Sequence, residues 1–268
     1  MKLSTATEIL ASAGIENSRS EARILFEKFG KIPRSQLYGC DAESDSDELI
    51  LALERRKKRE PLQYIIGEVD FYKETYYVTP DTLIPRSDTE ILVDEVIKRL
   101  PQGARLVDLC TGSGCIALSI LNNTRDTSAV ALDISGSALE VARKNAARLS
   151  LEGRIEFMEA DVLKREADGV FSAVISNPPY VTSSAYESLM PEIYFEPKIA
   201  FVGGEDGLVF YRRILELYEK KLEENGFFAF EIGYDQADAM VDLAKKHSLQ
   251  IEIIKDYSDN TRVAILNG

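Results

Sequence analysis

Asn177-Pro178-Pro179-Tyr180 places a side-chain amide, two imino acids and a phenol at four consecutive positions. Neither proline has an N–H, so carbonyls held here meet no competing donor, and Pro178 keeps Asn177 extended. The Asn177 side-chain oxygen and the Pro178 carbonyl can then accept both hydrogens of one planar –NH₂ group. Tyr180 can stack on that plane. An amide or aryl amine is a poor nucleophile because its lone pair is delocalised. Two acceptors on its hydrogens draw electron density onto nitrogen and aim the lone pair at an electrophilic carbon. The alkylated nitrogen is strongly acidic, so its proton leaves to water without a dedicated base. Asn177, Pro178 and Tyr180 are therefore the candidate catalytic residues, and Asn177, Pro178, Pro179 and Tyr180 the candidate substrate holders.

A second segment, Leu106-Val107-Asp108-Leu109-Cys110-Thr111-Gly112-Ser113-Gly114, reads as a strand passing through a glycine turn into a helix. Glycines at such a turn let a ligand approach the backbone closely. Asp133 closes the next strand, 19 residues after Gly114, and suits a ribose diol. Taken alone, the turn leaves three readings open. Gly112-x-Gly114-x-x-Ala117 satisfies the dinucleotide fingerprint of a nicotinamide or flavin enzyme. A tight turn with no ligand is the second. The third is S-adenosylmethionine, which has no pyrophosphate to cradle and carries a sulfonium cation that acidic surroundings tolerate. The pairing with Asn177 to Tyr180 favours the third.

Charge and composition narrow the class. Hydrophobic residues at 45% and charged residues at 29% suit a globular chain and exclude collagen-like, disordered and membrane-spanning classes. The net charge is −13, yet residues 1–60 hold 11 basic and 11 acidic residues, so the whole excess lies beyond them. That balance argues against nonspecific nucleic-acid binding. One histidine, His247, leaves little for a histidine-based triad and reads as structural. Cys40, Cys110 and Cys115 have no metal-binding spacing and read as buried thiols, so neither a metal nor a disulfide is expected. The N-terminus meets Glu8 and Glu16 before any long apolar stretch, so no secretory signal is expected and the location is read as cytoplasmic.

The elements that must position these residues follow from periodicity. Residues 1–60 read as a small helical domain. Thr5-x-x-Glu8, Ser18-x-x-Glu21 and Ser44-x-x-Asp47 open its helices as capping boxes, with a short turn of helix near Ser35 to Tyr38. Arg55-Arg56-Lys57-Lys58-Arg59 lies at a helix end and reads as a solvated face, or else as a docking surface for an acidic partner. In 61–85, Tyr64-Ile65-Ile66, Val69 to Tyr72 and Tyr76-Tyr77-Val78 read as strands of a β-hairpin linker. Ser87-x-x-Glu90 caps the next helix. Within 86–268, strands at 105–109, 128–133, 154–158, 171–176 and 227–232 alternate with helices at 114–122, 136–149, 207–223 and 235–247. This predicts an α/β fold with a parallel sheet covered on both faces. The last two strands, 250–256 and 262–266, are joined by a short turn and must be antiparallel, so the sheet is mixed at one edge.

The Asn-Pro-Pro-Tyr tetrapeptide resembles the signature of methyltransferases acting on glutamine amides and of those acting on exocyclic nucleobase amines, and by itself it does not separate them. Further segments separate the two groups: Glu21-Ala22-Arg23, Pro61-Leu62-Gln63-Tyr64-Ile65-x-Gly67, Leu83-Ile84-Pro85-Arg86-x-x-Thr89-Glu90, Asp108 to Leu118, Asn177 to Val181, and Glu196-Pro197 through Gly203-Gly204-x-Asp206-Gly207. In that order they resemble, over nearly the whole chain, the peptide chain release factor N(5)-glutamine methyltransferases, the PrmC or HemK family. The resemblance implies a seven-stranded class I, Rossmann-like methyltransferase domain behind an N-terminal helical bundle that binds release factor. It implies S-adenosyl-L-methionine as cofactor, S-adenosyl-L-homocysteine as product, and the glutamine of the Gly-Gly-Gln loop of class I release factors as substrate. Thr111, Gly112, Ser113 and Gly114 would line the methionine part of the cofactor, Asp133 the ribose and Asp161 with Val162 the adenine, with Cys110 and Asn177 also among the cofactor contacts, and Asn177 to Tyr180 would hold the glutamine. Cys110 stands where such enzymes often have glycine. A monomer without a nucleic-acid or membrane partner is expected.

Overall fold

The computed structural model describes residues 1–268, which divide into two compact units. The first comprises Met1–Glu68 together with Met190–Phe195. Its helices are α1 (Leu3–Ser12), α2 (Ser18–Lys28), α3 (Asp47–Lys57) and α4 (Leu62–Ile66). Leu10, Leu25, Phe26 and Leu49 are wholly buried between them.

All three predicted caps in this unit are displaced. Helix α1 begins at Leu3, so Thr5 lies inside it. Helix α2 is preceded by Asn17, and Glu21 binds Arg56 in place of its own helix start. For α3 the capping oxygen is that of Ser46, accepting from Leu49 N–H, and not that of Ser44. Tyr64-Ile65-Ile66 is helical rather than extended. Pro61 opens the helix, Gly67 ends it at φ 84°, and burial of Leu62 and Ile65 outweighs the β-branched preference. The basic run is no free solvated face either: Arg56 is only 5% exposed and is paired with Glu21 and Glu192.

The second unit comprises Val69–Leu189 and Glu196–Gly268. Strands β1 (Glu68–Phe71) and β2 (Glu74–Tyr77) form a hairpin. Phe71 and Tyr76 bury their rings in the core of this unit. Glu90 does not cap the following helix, α5 (Glu90–Arg99). Its carboxylate accepts the N–H of Tyr72 at the hairpin turn, 2.9 Å away.

The main sheet contains β3 (Arg105–Leu109), β4 (Ser128–Asp133), β5 (Ile155–Glu159), β6 (Phe171–Ser176), β7 (Leu222–Glu231), β8 (Gln250–Lys255) and β9 (Thr261–Asn267) in the order β5-β4-β3-β6-β7-β9-β8. β3 to β7 run parallel, and β9 is antiparallel to both neighbours. Side chains alternate across the sheet. Leu106 packs with α5, α6 (Cys115–Asn122) and α7 (Gly136–Arg148). Val107 and Leu109 pack on the other face with α9 (Val209–Tyr218) and α10 (Ala237–Lys246). The short α8 (Ser183–Tyr186) follows the Asn-Pro-Pro-Tyr segment. This is the seven-stranded mixed architecture expected from the sequence. No helix is long and apolar enough to cross a membrane.

Candidate active site

Parallel strands β3, β4 and β6 end on the same edge of the sheet, and the strand order reverses between β4-β3 and β3-β6, where ligands bind in open α/β sheets. After β3 the chain must turn sharply into α6. Cys110 takes φ 61° and Gly112 φ 55°. A side chain at left-handed φ costs about 1–2 kcal/mol, which gives a physical reason for glycine at such a position and makes Cys110 a strained departure. A Cβ on Gly112 would meet nothing within 4 Å, so a ligand has open access to this backbone.

Asp133 ends β4 and ties the turn together. Its Oδ2 accepts from Gly112 N–H at 2.8 Å and its Oδ1 from Ser135 N–H at 2.9 Å. Burial raises the Asp133 pKa, opposed by these N–H groups. A carboxylate has about four lone-pair directions, so both oxygens retain acceptor capacity. Asp161 accepts from Leu163 N–H at 3.0 Å and pairs with Lys164 at 2.8 Å, and chiefly the lysine bond lowers its pKa.

Beneath the turn, Asp108 is completely buried and accepts from the Thr111 hydroxyl at 2.5 Å, while its Oδ1 has no partner. Burial, aided by the charge of Asp133, pushes its pKa up to about 7. The folded chain therefore holds this proton more tightly than the unfolded chain does. The resulting stabilisation is fully present below about pH 4 and is lost as pH rises through about 7. Asp108→Asn is expected to flatten that slope, which for one group is at most about 1.4 kcal/mol per pH unit. Thermal midpoints of both proteins between pH 5 and 8 check this; parallel curves would contradict it.

A pocket opens at this edge. Of the residues expected from the sequence, Cys110, Gly112, Asp133, Asp161, Val162, Asn177 and Pro179 line it. Thr111, Ser113, Gly114, Pro178 and Tyr180 are not among its lining residues. Thr111 is spent on Asp108, and Ser113 has a buried hydroxyl without a partner. The phenol of Tyr180 donates to Glu231 Oε1 at 3.3 Å, an anchor the stacking expectation did not include. Apolar walls from Ile134, Leu163, Ala200 and Phe210 complete the pocket, and the sequence did not single them out.

The tetrapeptide is clamped from behind. Val181 N–H donates to Phe201 O at 2.8 Å, and Gly203 N–H donates to Val181 O at 2.9 Å. A Cβ on Gly203 would lie 2.4 Å from Pro179 O, so only glycine lets the two segments run this close. The Gln236 side-chain amide donates to Tyr180 O at 3.3 Å and to Gly207 O at 3.2 Å. Asn177 Nδ2 donates to Thr89 Oγ1 at 3.4 Å, and Thr89 Oγ1 donates to Glu231 Oε2.

Residues 2–67 match the PrmC N-terminal domain and residues 87–200 the Methyltransferase small domain. The release factor glutamine methyltransferase of Thermodesulfovibrio yellowstonii is 41% identical over 245 residues, covering 88% of this chain and 88% of its own length. The chain belongs to the release factor glutamine methyltransferase family. A relative of the same name from Caulobacter vibrioides is 35% identical over 97% of this chain and 93% of its own. Two solved structures share the fold of this release factor glutamine methyltransferase family member. A methyltransferase from Pyrococcus furiosus has a TM-score of 0.53 and 16% identity, covering 71% of this chain and 86% of its own. A ribosomal protein L11 methylase from Lactobacillus delbrueckii subsp. bulgaricus has a TM-score of 0.51 and 20% identity, covering 71% and 83%.

Two residues of this family member were given no site role from the sequence: Thr89, quoted only within a resemblance segment, and Glu231. The available signal was a single carboxylate, Glu231, inside the apolar run Phe227-Phe228-Ala229-Phe230-Glu231-Ile232. A charge in a buried strand asks for partners.

Proposed function

We propose that this enzyme transfers the methyl group of S-adenosyl-L-methionine to the side-chain amide nitrogen of the glutamine in the Gly-Gly-Gln loop of class I release factors. One observation carries the reading: Asn177 and Pro179 share a single pocket with Cys110, Gly112, Asp133 and Asp161. Asn177, one of the two proposed amide acceptors, thus stands beside groups suited to a nucleoside, with the Pro178 carbonyl adjacent in the chain. The cofactor fits the residues present. Gly112 leaves its backbone open, Asp133 keeps lone pairs for a ribose diol, and Val162, Leu163 and Phe210 offer apolar surface for adenine. When bound, that group supplies a sulfonium-activated methyl carbon.

The chain's own residues orient and polarise the nucleophile. Asn177 Oδ1 and the Pro178 carbonyl accept the two amide hydrogens, which raises electron density on nitrogen and fixes its line of attack. The methyl carbon would pass to the nitrogen with S-adenosyl-L-homocysteine as the leaving group, and the nitrogen would lose its extra proton to water, so the chain need supply no base. Tyr180 supports the segment through Glu231. The reading includes release factor binding by the N-terminal helical unit, action as a monomer in the cytoplasm, and no nucleic-acid partner. Incubation with methyl-labelled S-adenosyl-L-methionine and purified release factor, followed by mass spectrometry of the Gly-Gly-Gln peptide, tests it. One added methyl group on the glutamine is expected. Label on nucleic acid alone, or on nothing, would overturn it.

A further inference from the structure

We infer that Thr89 and Glu231 set which way round the Asn177 side-chain amide points, and so are positioning residues for the transfer. The inference rests on the proposed role of Asn177 as an amide acceptor. Strand register brings Asn177 and Glu231 together, and the segment before α5 adds Thr89. Ser176 on β6 pairs with Phe230 on β7, so Asn177 and Glu231 follow the last paired positions of adjacent parallel strands. Thr89 reaches them from just before α5.

With Glu231 ionised, the chain of hydrogen bonds has a fixed polarity. An ionised carboxylate can only accept. Glu231, 2% exposed, takes the Thr89 hydroxyl hydrogen on Oε2 and the Tyr180 hydroxyl hydrogen on Oε1. Burial raises the Glu231 pKa, while Thr89, Arg262 and Tyr180 favour its charged form. Thr89 has one hydrogen and has given it away, so toward Asn177 it can only accept. The Asn177 amide must then turn Nδ2 to Thr89, as found at 3.4 Å, which leaves Oδ1 for the substrate. The opposite flip would set Asn177 Oδ1 against a Thr89 lone pair and offer a donor to a substrate –NH₂ that needs acceptors. One buried carboxylate thereby decides the sign of the group at the reacting nitrogen, two hydrogen bonds away.

The test compares Thr89→Val, Thr89→Ser and Glu231→Gln in the full-length enzyme, with labelled S-adenosyl-L-methionine and purified release factor. Thr89→Val keeps the side-chain shape and loses the relay. Its kcat is expected to fall about tenfold or more, as misoriented catalytic groups do. KM for release factor and calorimetric affinity for S-adenosyl-L-methionine should stay within about twofold. Thr89→Ser should keep kcat within about threefold of the parent. Glu231→Gln lets the relay point either way and should also lower kcat, with the double variant no slower than the worse single by more than about twofold, because both break one chain. Should Thr89→Val not fold, the near-isosteric Glu231→Gln carries the same test. Full kcat in Thr89→Val, equal loss in Thr89→Ser, or loss confined to KM would overturn the relay. Asn177→Ala run alongside separates the two layers. If it is slow while Thr89→Val is fast, only the relay fails; if it is fast, the reading beneath it fails.

Discussion

Asn177→Ala is expected to lower the methylation rate about 100-fold or more while cofactor binding mostly survives. In the proposed mechanism alanine removes a preorganised acceptor from the reacting nitrogen, and loss of one such group in a closed site costs about 2.7–4 kcal/mol of transition-state stabilisation. The asymmetry between rate and binding follows from the geometry. Asn177 is one of many pocket residues, whereas Asp133, Asp161 and the Gly112 backbone stand apart from it and keep their positions. Asn177→Asp should recover little. It restores an oxygen but presents a carboxylate to the Thr89 oxygen that now receives an N–H, and it adds negative charge near Glu231. Single-turnover rates with saturating release factor, together with calorimetric titration of S-adenosyl-L-methionine, read the two effects separately. A variant that methylates at a near-normal rate would remove the proposed mechanism.

The parts of the site legible in the sequence are those that strand ends dictate. Cys110, Gly112, Asp133 and Asn177 each lie at or just after the carboxyl end of a parallel strand, and apolar runs mark those strands plainly. Convergence at one edge then follows from the fold class. The link from Thr89 to Glu231 was not legible because the two are 142 residues apart, and both the β6–β7 register that sets Glu231 beside Asn177 and the approach of the turn before α5 are tertiary facts that periodicity does not encode. Capping boxes misled for a related reason. Ser/Thr-x-x-Glu predicts a local bond, but Glu21 and Glu90 have better partners elsewhere, in Arg56 and in the N–H of Tyr72. Tyr64-Ile65-Ile66 failed through tertiary override, with Pro61 and Gly67 bounding a single helical turn whose apolar face is buried.

The basic run at the end of α3 shows how far a charge pattern can mislead, and it sets the second large expectation. Arg56→Ala should destabilise the first unit by about 3 kcal/mol, the low end of the cost of breaking a buried pair, because its carboxylate partners are partly exposed. The guanidinium donates to Glu21 Oε2 at 2.5 Å and Oε1 at 3.3 Å, to Glu192 Oε1 at 3.1 Å and to Glu60 O at 3.2 Å. Glu192 also receives Arg59 at 2.8 Å. Removing Arg56 leaves the largely buried Glu21 and Glu192 carboxylates with less compensating cation, and uncompensated charge of that kind costs more than the lost bonds themselves. Arg56→Lys should rescue little, since one ammonium cannot span the planar fork that serves Glu21, Glu60 and Glu192 together. Although burial opposes them, Arg59 and Arg56 hold the Glu192 pKa below its ordinary value. The stabilisation that Glu192 contributes is thus present above the unfolded carboxyl range near pH 4 and is lost as pH falls through the lowered value. Hydrogen exchange resolved by peptide mass spectrometry checks the expectation. In Arg56→Ala, protection of α2 and α3 should fall about 100-fold, as about 3 kcal/mol requires, while strands β3 to β7 keep theirs. Unchanged protection in α2 and α3 would mean that these charges contribute no more than a solvated surface.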